Sequence, residues 1–180
     1  MEFNKPVSNP MLMGAIELMK AEDTPEHRNM FVGELTKASF LAPAIVEPVP
    51  VEGEDGKLTL APGSKVQFPI FSTADGNRFF MAFTDSAEYE KWQEKTQQYP
   101  TFALKIEDYA ALILRRDSKG NICPALGMLI NPKGAGIVVP REMLAGIMSA
   151  KAAQAKQMAA RQSAGQAMPP AGTGTAPDKK

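Results

Sequence analysis

Residues 65–92 read KVQFPIFSTADGNRFFMAFTDSAEYEKW, and the order of apolar, turn and capping residues in this stretch decides the fold. Val66, Phe68 and Ile70 alternate, as side chains do along a strand with one buried face. Asp75-Gly76 tolerates positive φ and predicts a two-residue hairpin loop. The strand that follows, Arg78 to Phe83, is apolar on both faces: Phe79, Met81 and Phe83 on one, Phe80 and Ala82 on the other. A strand with no polar face is expected at the centre of a sheet, covered from both sides. Thr84-Asp85-Ser86-Ala87-Glu88 then predicts a helix start in which Asp85 caps and Glu88 reaches back. That helix is expected to run to about Lys95.

Upstream, Asn9-Pro10 places a capping side chain before proline at a first helical position, and Leu12, Ile16 and Met19 give one apolar face. Thr24-Pro25-Glu26 starts a second helix, with Met30, Phe31, Leu35 and Ala38 expected to face inward, so the pair reads as an αα-hairpin. Phe40 to Val51 carries Pro43, Pro48 and Pro50 and is expected as an edge strand or one that ends early. Glu52 to Lys57 reads as a polar turn and Lys57 to Leu60 as a short return strand.

Downstream, Tyr99 to Ile106 leans towards β structure. A helix follows with Glu107 and Asp108 in its first turn and Arg115 and Arg116 in its last, complementing the helix dipole, and Tyr109, Leu112 and Ile113 on its apolar face. Lys119-Gly120-Asn121 turns the chain into Ile122 to Ile130, read as a second strand apolar on both faces. Asn131-Pro132-Lys133-Gly134 turns it again into Ile137-Val138-Val139, and Pro140 opens the last helix. Leu144, Ile147 and Met148 should dock that helix. From Lys151 onward only Ala and Met continue the stripe, so Ala152 to Met158 is read as projecting, either solvated or associating with a partner or second copy. The helix is expected to fray near Gln162 to Gly165, and the tail AGQAMPPAGTGTAPDKK to be disordered.

Three of these segments together resemble the N-terminal domain of the SseB family. They are the αα-hairpin leading into Glu34-Leu35 and Leu41-Ala42-Pro43, the stretch Phe68 to Trp92 with its A-F-T-D helix start, and Gly127-Met128-Leu129-Ile130-Asn131-Pro132. The resemblance spans roughly Asn9 to Ile147 and implies no catalytic residues to carry over. Longer members of the family carry a second, C-terminal domain, where this chain has an Ala/Gln/Lys helix and tail.

Composition narrows the function classes. Among 180 residues, 20 Lys and Arg balance 20 Asp and Glu. From Ser149 onward Lys151, Lys156, Arg161, Lys179 and Lys180 face Asp178 alone, a net +4 that leaves −4 on the body. No aromatic residues interleave with this charge, so nucleic acid is not expected as a partner. One cysteine, Cys123, permits no internal disulfide, and the N-terminus MEFNKPVSNP has no basic region followed by an apolar one. No run of apolar residues is long enough to span a bilayer. A cytoplasmic protein without a membrane partner is expected.

Catalytic constellations are equally sparse. Cys123 sits beside Pro124 in an apolar run and is expected to be a buried, structural thiol, not a nucleophile. His27, the single histidine, is expected to be solvated between Glu26 and Arg28, and no metal site is expected. Lys133-Gly134-Ala135-Gly136 lacks the frame of a phosphate loop and reads as a turn. Glu107 and Asp108 are adjacent and do not face each other on a helix. The methionines near both ends read first as core and only second as an adaptable surface.

The sequence therefore predicts an α+β fold: a mixed, mostly antiparallel sheet flanked by helices, with an N-terminal αα-hairpin and a C-terminal helix. Residues 9–148 form the domain and 149–180 a helical extension and tail. The expected function is a non-catalytic protein-interaction or regulatory module with no cofactor, acting on a protein partner or a second copy. A small-molecule or anion-binding domain is the alternative and an enzyme the third reading. Asn131, Lys133, Arg115 and Arg116 are the candidate binding residues.

Overall fold

The computed structural model describes residues 2–3, 5–53, 58–93 and 99–165. In chain order the elements are β1 (Glu2–Phe3), α1 (Pro10–Ala21), α2 (Pro25–Leu35), β2 (Ser39–Pro43), β3 (Ile45–Glu47), β4 (Val51–Glu52) and β5 (Leu58–Thr59). There follow β6 (Lys65–Gln67), β7 (Phe71–Ser72), β8 (Arg78–Ala82), α3 (Ser86–Trp92), β9 (Thr101–Lys105), α4 (Ile106–Ile113), β10 (Gly127–Ile130), β11 (Ile137–Pro140) and α5 (Arg141–Gly165). The fold is α+β, with sheets β11-β10-β8-β7 and β1-β9-β2 and the ribbons β3-β6 and β4-β5. Among the described residues every strand pairing is antiparallel except β8 with β10, whose connection crosses over through α3, β9 and α4.

β8 is central and covered on both faces. Phe80 and Ala82 enter the main core with Leu12, Ile16, Leu35, Tyr109, Ile113 and Leu144, supplied by helices α1, α2, α4 and α5. Phe79, Met81 and Phe83 enter a second cluster with Leu41, Leu129 and Tyr89, against which Trp92 packs. Phe83 also exchanges backbone hydrogen bonds with Leu41, joining β2 to the end of β8. The Tyr109 hydroxyl, fully buried, donates to the Met81 carbonyl at 2.9 Å, and burial pushes its pKa well above the ordinary tyrosine value.

The hairpin before β8 is shorter than its alternation suggests. Pro69 has no N–H to give to a ladder, and the strand splits around it. β6 pairs with β3, and only Phe71 and Ser72 of β7 pair with β8. Nor is the loop a two-residue one. The Gly76 amide donates to the Thr73 carbonyl and the Thr73 amide to the Asn77 carbonyl, so Ala74, Asp75 and Gly76 form a three-residue loop. Only Gly76, at φ 80°, takes the left-handed conformation, as that loop type requires. Nothing lies within 4 Å of a Cβ built there. Gly76→Val is therefore expected to cost roughly 1–2 kcal/mol from backbone strain alone, and a urea midpoint equal to the parent's would contradict the turn.

Other expectations shift for identifiable reasons. The run Ile122 to Ile130 is a strand only over β10; Pro124 interrupts it, and Ile122 and Leu126 are half exposed. Helix α4 ends at Ile113, so Arg115 and Arg116 lie beyond its last turn. Met30 is exposed, whereas Phe31, Leu35 and Ala38 are buried. Asp85 caps α3 by accepting from the Glu88 amide, but Glu88 does not reach back: its Oε1 pairs with Lys91. Asn9 makes no side-chain cap; its amide donates to the carbonyls of Ser39 and Thr84, tying the start of α1 to the sheet.

Leu144 and Ile147 dock α5, and the Lys151 ammonium contacts Glu107 and the Thr36 carbonyl. From 152 to 161 every side chain is exposed, and the helix runs to Gly165, the last described residue, through the stretch expected to fray. Removing residues 152–180 is accordingly expected to change domain stability by less than about 0.5 kcal/mol, read from urea denaturation. A larger loss would mean the extension packs on its own domain. The expected disordered tail from 166, the core of the polar turn at 54–57 and the expected helix end at 94–98 lie outside the described residues.

Candidate functional site

A cleft of about 510 Å³ opens where β6 turns away from β7. One wall is Val66, Gln67, Phe68 and Ile70; the other is Asn121, Ile122, Cys123 and Pro124. Phe80 of β8 and Leu112 of α4 close it from within, and Arg115 and Asp117 line its polar side. The volume is that of an ordinary ligand site.

The loop carrying the second wall is built by local hydrogen bonds. Asp117 accepts from the amides of Lys119 and Asn121 and from the Asn121 side chain, each at 2.8 Å. These bonds, the Asn121 side chain foremost, hold the Asp117 carboxyl below the usual carboxylate range. Gly120, at φ 82°, completes the turn, and its carbonyl accepts from Arg116. Arg116 and Ile122 form an isolated antiparallel bridge. Arg141, opening α5, donates to the carbonyls of Cys123 and Ala125 and pins the end of the loop.

Arg115 differs from its neighbours. It is exposed, and its guanidinium has no hydrogen-bond or ion-pair partner among the described residues. A free guanidinium beside apolar walls can take a carboxylate or phosphate, bidentate where geometry allows.

The four candidate binding residues are not brought together. Arg115 lines the cleft, and Arg116 stands on the same loop but is bonded to Gly120. Lys133 is exposed on the turn after β10, at the opposite end of the β8–β10 pair. Asn131 is fully buried, with its side chain bonded to Thr84, so it belongs to no binding surface. Cys123 is half buried in the cleft wall, outside any strand, not enclosed in an apolar strand as its neighbours suggest. His27 sits at the start of α2 with Nδ1 2.6 Å from the Glu22 carbonyl, and it does not line the cleft. Gln67, Phe68, Ile70, Asp117 and Asn121 were not marked by the sequence as site residues; Pro69 inside a strand pattern was the available signal.

A second cleft, about 410 Å³, lies by Leu41, Val49, Pro50, Tyr89 and Tyr99. It offers less chemistry, since the Tyr89 hydroxyl is engaged with the Tyr99 carbonyl at 2.6 Å. Among the described residues no three His, Cys, Asp or Glu side chains cluster so as to hold a metal ion, and no helix is long and apolar enough to cross a membrane.

A family model described as the SseB protein N-terminal domain matches residues 12–146. The chain belongs to the SseB family. The matched stretch of this SseB domain runs from α1 into α5 and contains both walls of the cleft. No curated protein and no solved structure matches the chain.

Proposed function

We propose that this SseB-family domain is a non-catalytic protein-interaction module that binds through the Arg115 cleft. The observation that carries the reading is the unpartnered Arg115 guanidinium set among Phe68, Ile70, Leu112 and Ile122. Arginine beside aromatic and aliphatic side chains is the composition of an interface anchor. A non-catalytic role is supported by the absence of His27 from the cleft that Cys123 lines, so the cysteine–histidine arrangement of a thiol nucleophile with its base is not formed there. The reading takes the module to act in the cytoplasm on a protein, not on nucleic acid or a membrane.

Arg115 equally suits the second reading, a small anionic ligand. The two separate by selecting a displayed random-peptide library against the full chain and against Ile122→Asp. Ile122 is half exposed, so this change leaves the core intact. Peptides that bind the parent and lose tenfold or more on the variant are the expected result. If no peptide depends on Ile122 and succinate or phosphate instead shifts the backbone resonances of the cleft, the interaction reading is overturned.

A further inference from the structure

We infer that the occupant of this cleft is an extended, carboxylate-bearing peptide segment that pairs main chain to main chain along residues 68–70; the inference rests on the protein-interaction reading of the same cleft. Successive side chains of a strand point to opposite faces. Val66, Gln67 and Phe68 are consecutive, yet all three border the cleft. Val66 and Phe68 pack against the core and Gln67 is exposed, so what the three present together to the cleft is the edge of the strand. The other edge of β6 is taken by β3.

The main chain on the cleft side is unpaired. Phe68, Pro69 and Ile70 lie between the β3–β6 ladder and the β7–β8 ladder, and the N–H groups of Phe68 and Ile70 and the carbonyls of all three have no partner among the described residues. An open strand edge is a template for another strand, and adding one supplies affinity through the main chain and selectivity through alternate side chains. The facing wall, Asn121 to Pro124, is likewise a run of consecutive residues, which leaves a slot between two runs of chain. Phe80, Leu112 and Ile122 receive apolar side chains on the inner side of such a segment.

Charge selects among extended peptides. Arg115, Arg116 and Lys119 stand on one loop with Asp117, whose carboxylate already accepts from the main-chain amides of Lys119 and Asn121 and from the Asn121 side chain. The free cation at the cleft is Arg115, so the outward residues of the favoured segment are Asp or Glu, or a terminal carboxylate.

The test uses the full chain and labelled octapeptides followed by fluorescence anisotropy. One peptide alternates Val with Glu and a second alternates Val with Lys. Two further Val/Glu peptides are N-methylated, each at one of the two alternate sets of amides. The Val/Glu peptide is expected to bind at least tenfold more tightly than the Val/Lys peptide, and at least one N-methylated version to lose binding. Arg115→Gln should weaken the Val/Glu peptide about tenfold and leave the Val/Lys peptide unchanged. A saturating Val/Glu peptide should also slow maleimide labelling of Cys123, which lines the slot. Binding of both N-methylated versions as tight as that of the unmethylated peptide overturns main-chain pairing, and equal binding of Val/Glu and Val/Lys peptides overturns carboxylate selection. If the Val/Glu peptide does not bind while library-selected peptides still depend on Ile122, this inference falls and the interaction module stands. If nothing depends on Ile122, both fall.

Discussion

Gly127→Ala is expected to destabilise the domain by about 3 kcal/mol, at the upper end of overpacking costs. A Cβ at this position would lie 2.2 Å from the Val139 carbonyl oxygen and 2.9 Å from the Pro140 Cα. Gly127 and Pro140 are register partners, so the clash is between the main chains of β10 and β11 and no rotamer change can relieve it. The strands would have to separate beside Val139, which is fully buried. Two other glycines calibrate the result. At Gly134 the added carbon would lie 2.1 Å from Glu88 Oε2, the end of a side chain that can swing away, so Gly134→Ala should cost only about 1 kcal/mol. At Gly146, inside α5, nothing lies within 4 Å, and Gly146→Ala should stabilise by about 0.5–1 kcal/mol through backbone entropy. Urea midpoints order the variants as Gly146→Ala, parent, Gly134→Ala, Gly127→Ala. A Gly127→Ala midpoint equal to the parent's would contradict the β10–β11 register.

The sequence displayed the centre of this fold better than its edges. β8 was legible because a run of five apolar residues on two faces, Phe79 to Phe83, has only one place to go, and its side chains do divide between two clusters. The αα-hairpin was legible from Thr24-Pro25: the Thr24 side chain accepts from the His27 amide. Partner choice was not. Val66, Phe68 and Ile70 alternate straight through Pro69, and alternation cannot say that residues 65–67 pair with β3 while residues 71–72 pair with β8. That change of partner is what opens the cleft. Arg115 could be named from its charge, but its surroundings come from segments about fifty residues apart in sequence and become neighbours only once the strand has split. Ile122 and Leu126 look like core in an apolar run and are half exposed, although Ile122 bridges Arg116 and the Leu126 amide donates to the Arg78 carbonyl.

Asn131 is the opposite error, a turn residue taken for a surface one, and it carries the second large effect. Asn131→Ala is expected to cost about 3 kcal/mol in stability and to leave the affinity of the folded domain for cleft ligands unchanged. Its Oδ1 accepts from the buried Thr84 amide at 3.0 Å, and its Nδ2 donates to Thr84 Oγ1 at 2.8 Å. Thr84 is itself fully buried, and its carbonyl is held by Asn9. Alanine would leave the Thr84 amide without a partner and out of reach of water, a penalty of about 1–3 kcal/mol. It would also place a residue less tolerant of positive φ at φ 48°, for about 1 kcal/mol more. Asn131→Gly separates these contributions, since it loses the hydrogen bonds but relaxes the backbone; it should recover about 1 kcal/mol relative to alanine. The Asn131 carbonyl accepts from the amides of Gly134 and Gly136, which keeps the turn formed in either variant. Arg115→Gln should behave in the reverse way: an exposed side chain without a partner contributes little to stability, so its urea midpoint should match the parent's while peptide affinity falls. Asn131 and the cleft lie at opposite ends of the β8–β10 pair, and the two effects should therefore be independent in the double variant. Loss of peptide binding in folded Asn131→Ala would mean that the two ends of the sheet are coupled.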